Sequence, residues 1–306
     1  MGRASLRSPI LLSGLAALVL AAPALAQTVS TNPPPAISAD PAPDAKFPAR
    51  LEVIHVPSGG VEINGIVLVA SGPGPHPTVA LFHGLPGNEK NLDLAQALRR
   101  AGWTVVAVNY RGSWGSPGQF RFAQTLEDAK ATLAFIRDPK NAARYGFDLD
   151  RLAVVGHSMG GWVTAETLAD DPGLIGAVVI SPPDLGAMAL AARSPQGRAQ
   201  VVAYLDDSRE TLAGVTGESM ADEGAGHAEA WTFAAVAPKL KDRRLLVLYG
   251  DDMFRGGDER LLADIKAAGG TRVQSAHADT DHSWSDHRIA LESLVINWLQ
   301  SLPAKP

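Results

Sequence analysis

The chain contains no cysteine in 306 residues. Disulfides, thiolate nucleophiles and Cys-ligated zinc are therefore excluded. Aromatic residues are sparse at 6%, and no block of like charges occurs. Lys and Arg are scattered and the formal net charge is −5, so neither a nucleic acid nor an anionic surface is an expected partner. Long uninterrupted apolar runs are missing as well. The run Ile10 to Leu20 is broken by Ser13 and Gly14 and followed by Pro23, too short for a membrane span. What is present is 46% hydrophobic and 19% charged residues, a balance that suits one large globular domain.

The first 26 residues read as a signal peptide. Arg3 and Arg7 supply a basic start, Ile10 to Leu20 an apolar core, and Ala24-Leu25-Ala26 a small-x-small cleavage site before Gln27. Export, to a periplasm or the medium, is the expectation. With no cysteine after the site, a lipid anchor is excluded, and no stable membrane insertion is expected after cleavage. Residues 27–50 carry Pro33-Pro34-Pro35, Pro41, Pro43 and Pro48 and read as an extended tether without a core of its own.

From residue 51 onward, runs of two periodicities alternate. Leu51–Val56 and Val61–Ala70 predict an antiparallel hairpin at a sheet edge. Thr78–Phe82, Trp103–Asn109, Arg151–Gly156, Ile175–Ile180, Leu245–Tyr249 and Thr271–Ala276 predict nearly all-apolar strands. Between them, Asn91–Arg100, Thr125–Phe135, Trp162–Ala169, Asp258–Ala268 and Arg288–Leu299 are helix-compatible. This alternation predicts an α/β fold with a mostly parallel sheet covered on both faces. About residues 184–240 break the rhythm. Met188–Arg193 and Gln200–Leu205 are possible helices, Thr211–Gly226 is polar and glycine-containing, and nothing there reads as a strand. An insertion between two core strands, at their C-terminal ends, is expected to be a small helical cap over a site.

The chain is organised around Val154-Val155-Gly156-His157-Ser158-Met159-Gly160-Gly161-Trp162. A buried strand runs into G-x-S-x-G and then into a helix. A serine on such a turn has its hydroxyl pushed out of the backbone, and only small flanking residues leave room. The helix N-terminus behind it favours negative charge.

A serine hydroxyl needs a base, and the base needs an orienting carboxylate. Among eight histidines, His282 is the best candidate, in the polar loop Asp279–Trp284 ahead of the last helix; His287 is second. His55, His76, His157, His227 and His277 sit less well, and His157, beside the serine, is expected to point away from it. The acid should end an earlier strand. Asp252 is preferred, Asp251 is the alternative and Asp184 the third choice; Asp281 is expected to structure its loop. The oxyanion needs two backbone N–H donors. Met159 supplies one, and in His83-Gly84-Leu85-Pro86-Gly87 the other is Leu85, since Pro86 has no N–H. No cofactor and no metal is called for: Asp281, His282 and His287 lack the two-histidine helical spacing of a zinc hydrolase.

These features together resemble the α/β-hydrolase superfamily: His83-Gly84 after an early strand, the Gly156–Gly161 turn, an acidic pair after a later strand, and a histidine before the final helix, in the order Ser, Asp, His. The resemblance covers roughly residues 51–302. It is closest to dienelactone-hydrolase-like and prolyl-oligopeptidase-like members, which share a loop like Tyr110-Arg111-Gly112. It implies a doubly wound sheet with an antiparallel N-terminal edge. One departure is that many members place the acid three residues past the glycine, where this chain has Met253.

The resemblance implies a serine hydrolase of carboxylic esters or thioesters working through an acyl-enzyme on Ser158, with a small-molecule substrate. A prolyl-oligopeptidase-like peptidase is the alternative, weakened by an N-terminal segment too short for a propeller. A non-catalytic binding protein on the same fold is the third reading. Acyl chain length, leaving group and oligomeric state are not legible.

Overall fold

The computed structural model describes residues 29–304. The expected signal peptide, residues 1–26, lies outside the described residues. Eight strands form one sheet: β1 (Arg50–Ser58), β2 (Val61–Val69), β3 (His76–Phe82), β4 (Thr104–Val108), β5 (Phe147–His157), β6 (Gly176–Ile180), β7 (Leu245–Tyr249) and β8 (Val273–His277). Their spatial order is β1-β2-β4-β3-β5-β6-β7-β8. β2 runs antiparallel to β1 and β4, and every other pairing is parallel. The central strands are apolar on both faces because helices cover both. On one side lie α2 (Phe122–Arg137), α4 (Met159–Asp170), α8 (Phe233–Leu240) and α9 (Arg255–Ala267), closing over Phe82, Val154, Trp162 and Val247. On the other lie α1 (Leu92–Arg100) and α10 (Arg288–Ser301), closing over Val79, Val155, Leu246 and Trp298.

The parallel register brings the strand ends that matter into line. Phe82 of β3 pairs with Gly156 of β5, His157 of β5 with Ile180 of β6, and Ile180 with Leu248 of β7. The loops after β3, β5, β7 and β8 thus emerge along one edge, where ligands sit in wound α/β sheets.

The insertion between β6 and β7 is helical, with α5 (Leu185–Ala191), α6 (Pro195–Asp207) and α7 (Gly217–His227) ahead of α8. The polar, glycine-containing stretch Thr211–Gly226 holds most of α7. Its start is a capping box, Thr216 accepting from the Ser219 N–H and the Ser219 hydroxyl accepting from the Thr216 N–H. α7 also reaches the domain: the Glu223 carboxylate accepts from the Phe122 and Ala123 N–H groups at 3.1 and 2.8 Å, satisfying the free donors at the start of α2. A further helix, α3 (Pro139–Tyr145), follows an Asp138 N-cap with proline at its first position and ends at Gly146, φ +67°.

The described part of the proline-rich segment, read as an extended tether, holds a short 3-10 turn at Pro35–Ile37 and lies along the domain. Val29 and Ile37 pack against the α1–α10 side. Arg100 Nε donates to the Ala36 carbonyl at 2.5 Å, and Asn297 Nδ2 to the carbonyls of Ser30 and Asn32.

Candidate active site

Ser158 follows β5 directly and precedes the first residue of α4. Its backbone sits at φ +56°, ψ −129°, a region that costs a side-chain-bearing residue about 1–3 kcal/mol. The turn is held because the Ser158 N–H donates to the Ile180 carbonyl at 2.8 Å and the Ser158 carbonyl accepts from Gly161 at 2.7 Å.

The flanking glycines are explained by contact. A Cβ on Gly156 would collide with the Gly160 carbonyl, and one on Gly160 with the backbone of Phe82 and His83. A Cβ on Gly161 would stand 2.9 Å from Pro182. The start of α4 is therefore wedged between the ends of β3 and β6, where no methyl group fits. Gly160→Ala is expected to lower Tm by roughly 5–10 °C, since the obstacles are backbone and cannot rotate away. Gly226→Ala, on α7 with nothing within 4 Å of its Cβ position, is the control and should leave Tm unchanged or slightly raised. Equal Tm values for both would contradict this packing account.

Asp252 and His282 come together from the ends of β7 and β8. His282 Nδ1–H donates to Asp252 Oδ2 at 2.6 Å, and Asp252 Oδ1 accepts from the Phe254 N–H at 2.7 Å. Burial works to raise the Asp252 carboxyl, but these donors and the imidazole outweigh it and hold the group below its ordinary range. With Nδ1 engaged, Nε2 is the nitrogen left to accept a proton. The His282 ring lies between Phe254, 5.2 Å away, and His157, 4.8 Å away.

His157 does not simply turn away from the site. Its buried Nε2–H donates to the His282 carbonyl at 2.8 Å. The residue just before the serine thus fixes the backbone of the loop that carries the imidazole. Burial, aided by the neighbouring His282, depresses the His157 ring to about 3, so it stays neutral and acts only as this donor. Nothing in the sequence pattern signalled this link.

The other candidates lie elsewhere. Asp251 is exposed and bonds Arg255 and, at 2.8 Å, His277 Nε2–H. Asp184 caps α5, accepting from Ala187, and also accepts from the Phe233 N–H. Asp281 organises its loop by accepting from Ser283 and Ser285. His287 pairs with its neighbour Asp286 at 2.9 Å. Met253, at the family's usual acid position, is 74% exposed. Trp284, a loop residue of open role in sequence, is fully buried, its Nε1–H donating to Ser181 Oγ. Arg111 is structural: with Ser58 Oγ it binds the fully buried Asp128, tying its loop to α2 and the edge hairpin.

Across the serine, the loop after β3 approaches closely. A Cβ on Gly84 would fall 2.7 Å from Ser158 Cβ and 3.2 Å from its Oγ, so only glycine lets this backbone in. The Gly84 carbonyl accepts from His83 Nδ1–H at 2.8 Å. In a trans peptide the carbonyl and the following N–H point oppositely, so this bond also aims the Leu85 N–H. Burial keeps the His83 ring neutral, depressed to about 4. The Met159 N–H belongs to the first turn of α4, whose donors have no acceptor within the helix. The loop after β3 and the start of α4, distant in the chain, thus meet at the serine.

The cap contributes Tyr204 of α6, whose phenol is raised first by burial and then by the Asp252 charge. Asp258 of α9 is fully buried with both oxygens unpartnered. Burial, with the charges of Asp252 and Glu259, pushes it up to about 9, so at neutral pH it carries its proton. The folded state then keeps a proton that the unfolded chain releases near pH 4, and stability falls as pH rises between those values. Asp258→Asn, with nothing to titrate, should show a shallower fall of Tm from pH 5 to pH 8 than the native chain. Parallel Tm profiles would contradict a protonated Asp258.

The serine aminopeptidase (S33) family model matches residues 73–206. That span holds the Gly84–Leu85 loop and the Ser158 turn and ends before Asp252 and His282. Among solved structures, an esterase of Pyrobaculum calidifontis is similar at 20% identity and TM-score 0.60, over 84% of this chain and 87% of that one. An esterase of Pyrococcus furiosus is similar at 17% identity and TM-score 0.60, over 90% of this chain and 98% of that one. An acylaminoacyl peptidase of Pyrococcus horikoshii matches at 17% identity and TM-score 0.64 over 84% of this chain, which spans only 42% of that protein. From its sheet order, its serine turn and these likenesses, the chain has the α/β-hydrolase fold.

Proposed function

We propose that this protein is an exported serine hydrolase of small carboxylic esters or thioesters. The observation that carries the reading is the 2.6 Å His282–Asp252 bond on a loop anchored by the residue next to Ser158. Ser158 Oγ attacks the acyl carbonyl and its proton passes to His282 Nε2. Asp252 holds the ring and balances the imidazolium charge. The N–H groups of Met159 and Leu85 meet the oxyanion, assisted by the N-terminal end of α4. His282 returns the proton to the departing alkoxide or thiolate. A water molecule then repeats the cycle in reverse and frees the acid.

Export rests on the Arg3–Ala26 signal pattern. Among the described residues no helix is long and apolar enough to cross a membrane. The serine aminopeptidase match favours a second reading, a peptidase acting by the same steps. A panel of p-nitrophenyl esters, thioesters and peptide p-nitroanilides separates the two. The ester reading expects turnover of short acyl esters at least ~100-fold faster than of any anilide; the reverse order would replace it with the peptidase reading.

A further inference from the structure

The N–H of Leu85 is useful to an oxyanion only if the loop after β3 is held still, and its far end is held by two groups outside that loop. The Pro86 carbonyl accepts from Trp114 Nε1–H at 2.7 Å and from Thr211 Oγ1 at 3.1 Å. Both lone pairs of one carbonyl are thus engaged, one by the glycine-rich loop after β4 and one by the cap. Resting on the serine-hydrolase reading above, we infer that Trp114 and Thr211 are positioning residues that together hold the oxyanion-stabilising loop in its working geometry.

The surroundings of Trp114 support this role. It is 37% exposed, so core packing does not account for it. Its backbone adopts φ +47°, a conformation unfavourable for a bulky residue. That conformation is stabilised by the cap: the Trp114 N–H donates to the Thr211 carbonyl at 3.2 Å, Ser113 bridges Leu212, and the Ala213 N–H donates to Gly112 at 2.7 Å. Lys90 Nζ lies 4.0 Å over the indole and donates to Asn109. On the inner side, a Cβ on Gly87 (φ +94°) would stand 2.9 Å from the indole nitrogen and collide with the His83 ring. The indole and the imidazole therefore close on the loop from opposite ends. His83 sets the Gly84–Leu85 peptide, and the Trp114–Thr211 pair sets the Pro86–Gly87 peptide. The insertion between β6 and β7 thus supplies one of the two donors that fix the loop.

The test compares Trp114→Phe, Thr211→Val, their double variant and Thr211→Ser with the native enzyme on p-nitrophenyl butyrate. Phe keeps the ring and removes the donor, Val keeps the shape and removes the hydroxyl, and Ser restores the hydroxyl. A donor that shifts by part of an ångström loses transition-state binding and leaves substrate binding nearly unchanged. The expected result is a roughly ten-fold lower kcat for each single donor loss and about 30- to 100-fold for the double. KM should stay within about twofold, and Thr211→Ser should recover native kcat. Tm is recorded for each; if Trp114→Phe fails to fold, Thr211→Val and its serine rescue carry the test. An active native enzyme with double-variant kcat within twofold overturns the clamp alone, as does a Thr211→Ser variant no better than Thr211→Val. A native enzyme inert on esters and peptides alike overturns the clamp together with the serine-hydrolase reading.

Discussion

Ser158→Ala is expected to remove essentially all hydrolysis of short p-nitrophenyl esters while leaving Tm within a few degrees of native. Ser158 stands at a strained turn held by its own backbone, through bonds to Ile180 and Gly161, and its hydroxyl is not needed to keep that turn. Alanine takes the same backbone with one atom fewer. Removing the nucleophile of a Ser-His-Asp unit costs ~10⁶-fold in kcat, because the remaining residues have no alkoxide to assist. The donors of Leu85 and Met159 persist, so a residual rate above water is expected, near the detection limit. A variant retaining a tenth of native activity would show that the chemistry lies elsewhere.

Asp252→Asn is the second large effect, and it separates the two acids that the sequence left open. Asp252 uses both oxygens, one for the Phe254 N–H and one for His282 Nδ1–H. An asparagine keeps the first bond with its amide oxygen and then turns its NH2 toward His282. That donor demands an acceptor at Nδ1, which moves the ring proton to Nε2, where it can no longer take one from serine. A loss of ~10⁴-fold in kcat is expected from the wrong tautomer. Asp251→Asn should leave kcat within about twofold, because its carboxylate faces Arg255 and His277 at the surface, where solvent screens the ion pair. Similar losses in both variants would contradict the assignment. The pairing also sets an acid limit. Because the folded Asp252 carboxyl lies below its ordinary range, the stabilisation from its bond to His282 is present above the unfolded value and lost as pH falls through the folded one.

What the sequence made legible was local. The apolar strands, the edge hairpin and the helices after them follow from periodicity, and the serine turn from three glycines around one serine. Gly156 and Gly160 are explained in the structure by backbone pressing on them, and Gly161 by the Pro182 ring. The helices α3 and α7 were legible in principle, through Asp138-Pro139 with Gly146 and through the Thr216–Ser219 box, yet their polar composition masked them. The proposed acid departs from the spacing of many α/β-hydrolases, and the loop after β7 shows what position 252 can reach. Phe254 turns back to bond Asp252, which points that carboxylate at His282 and leaves Met253 to solvent. Contacts between residues far apart in sequence were not legible at all. His157 to His282, Glu223 to the start of α2, and Thr211 to Pro86 have no local pattern, because each joins segments that only the tertiary fold brings together. The burial of Trp284 and Asp258 likewise belongs to tertiary packing.

In the proposed mechanism Ser158 is a nucleophile activated by His282. It is tested most directly by reacting the folded protein with a fluorophosphonate and locating the adduct by peptide mass spectrometry. One stoichiometric adduct on the peptide carrying Ser158 is expected, forming orders of magnitude more slowly in a His282→Ala variant. An unmodified Ser158 in a protein that still hydrolyses esters would contradict it.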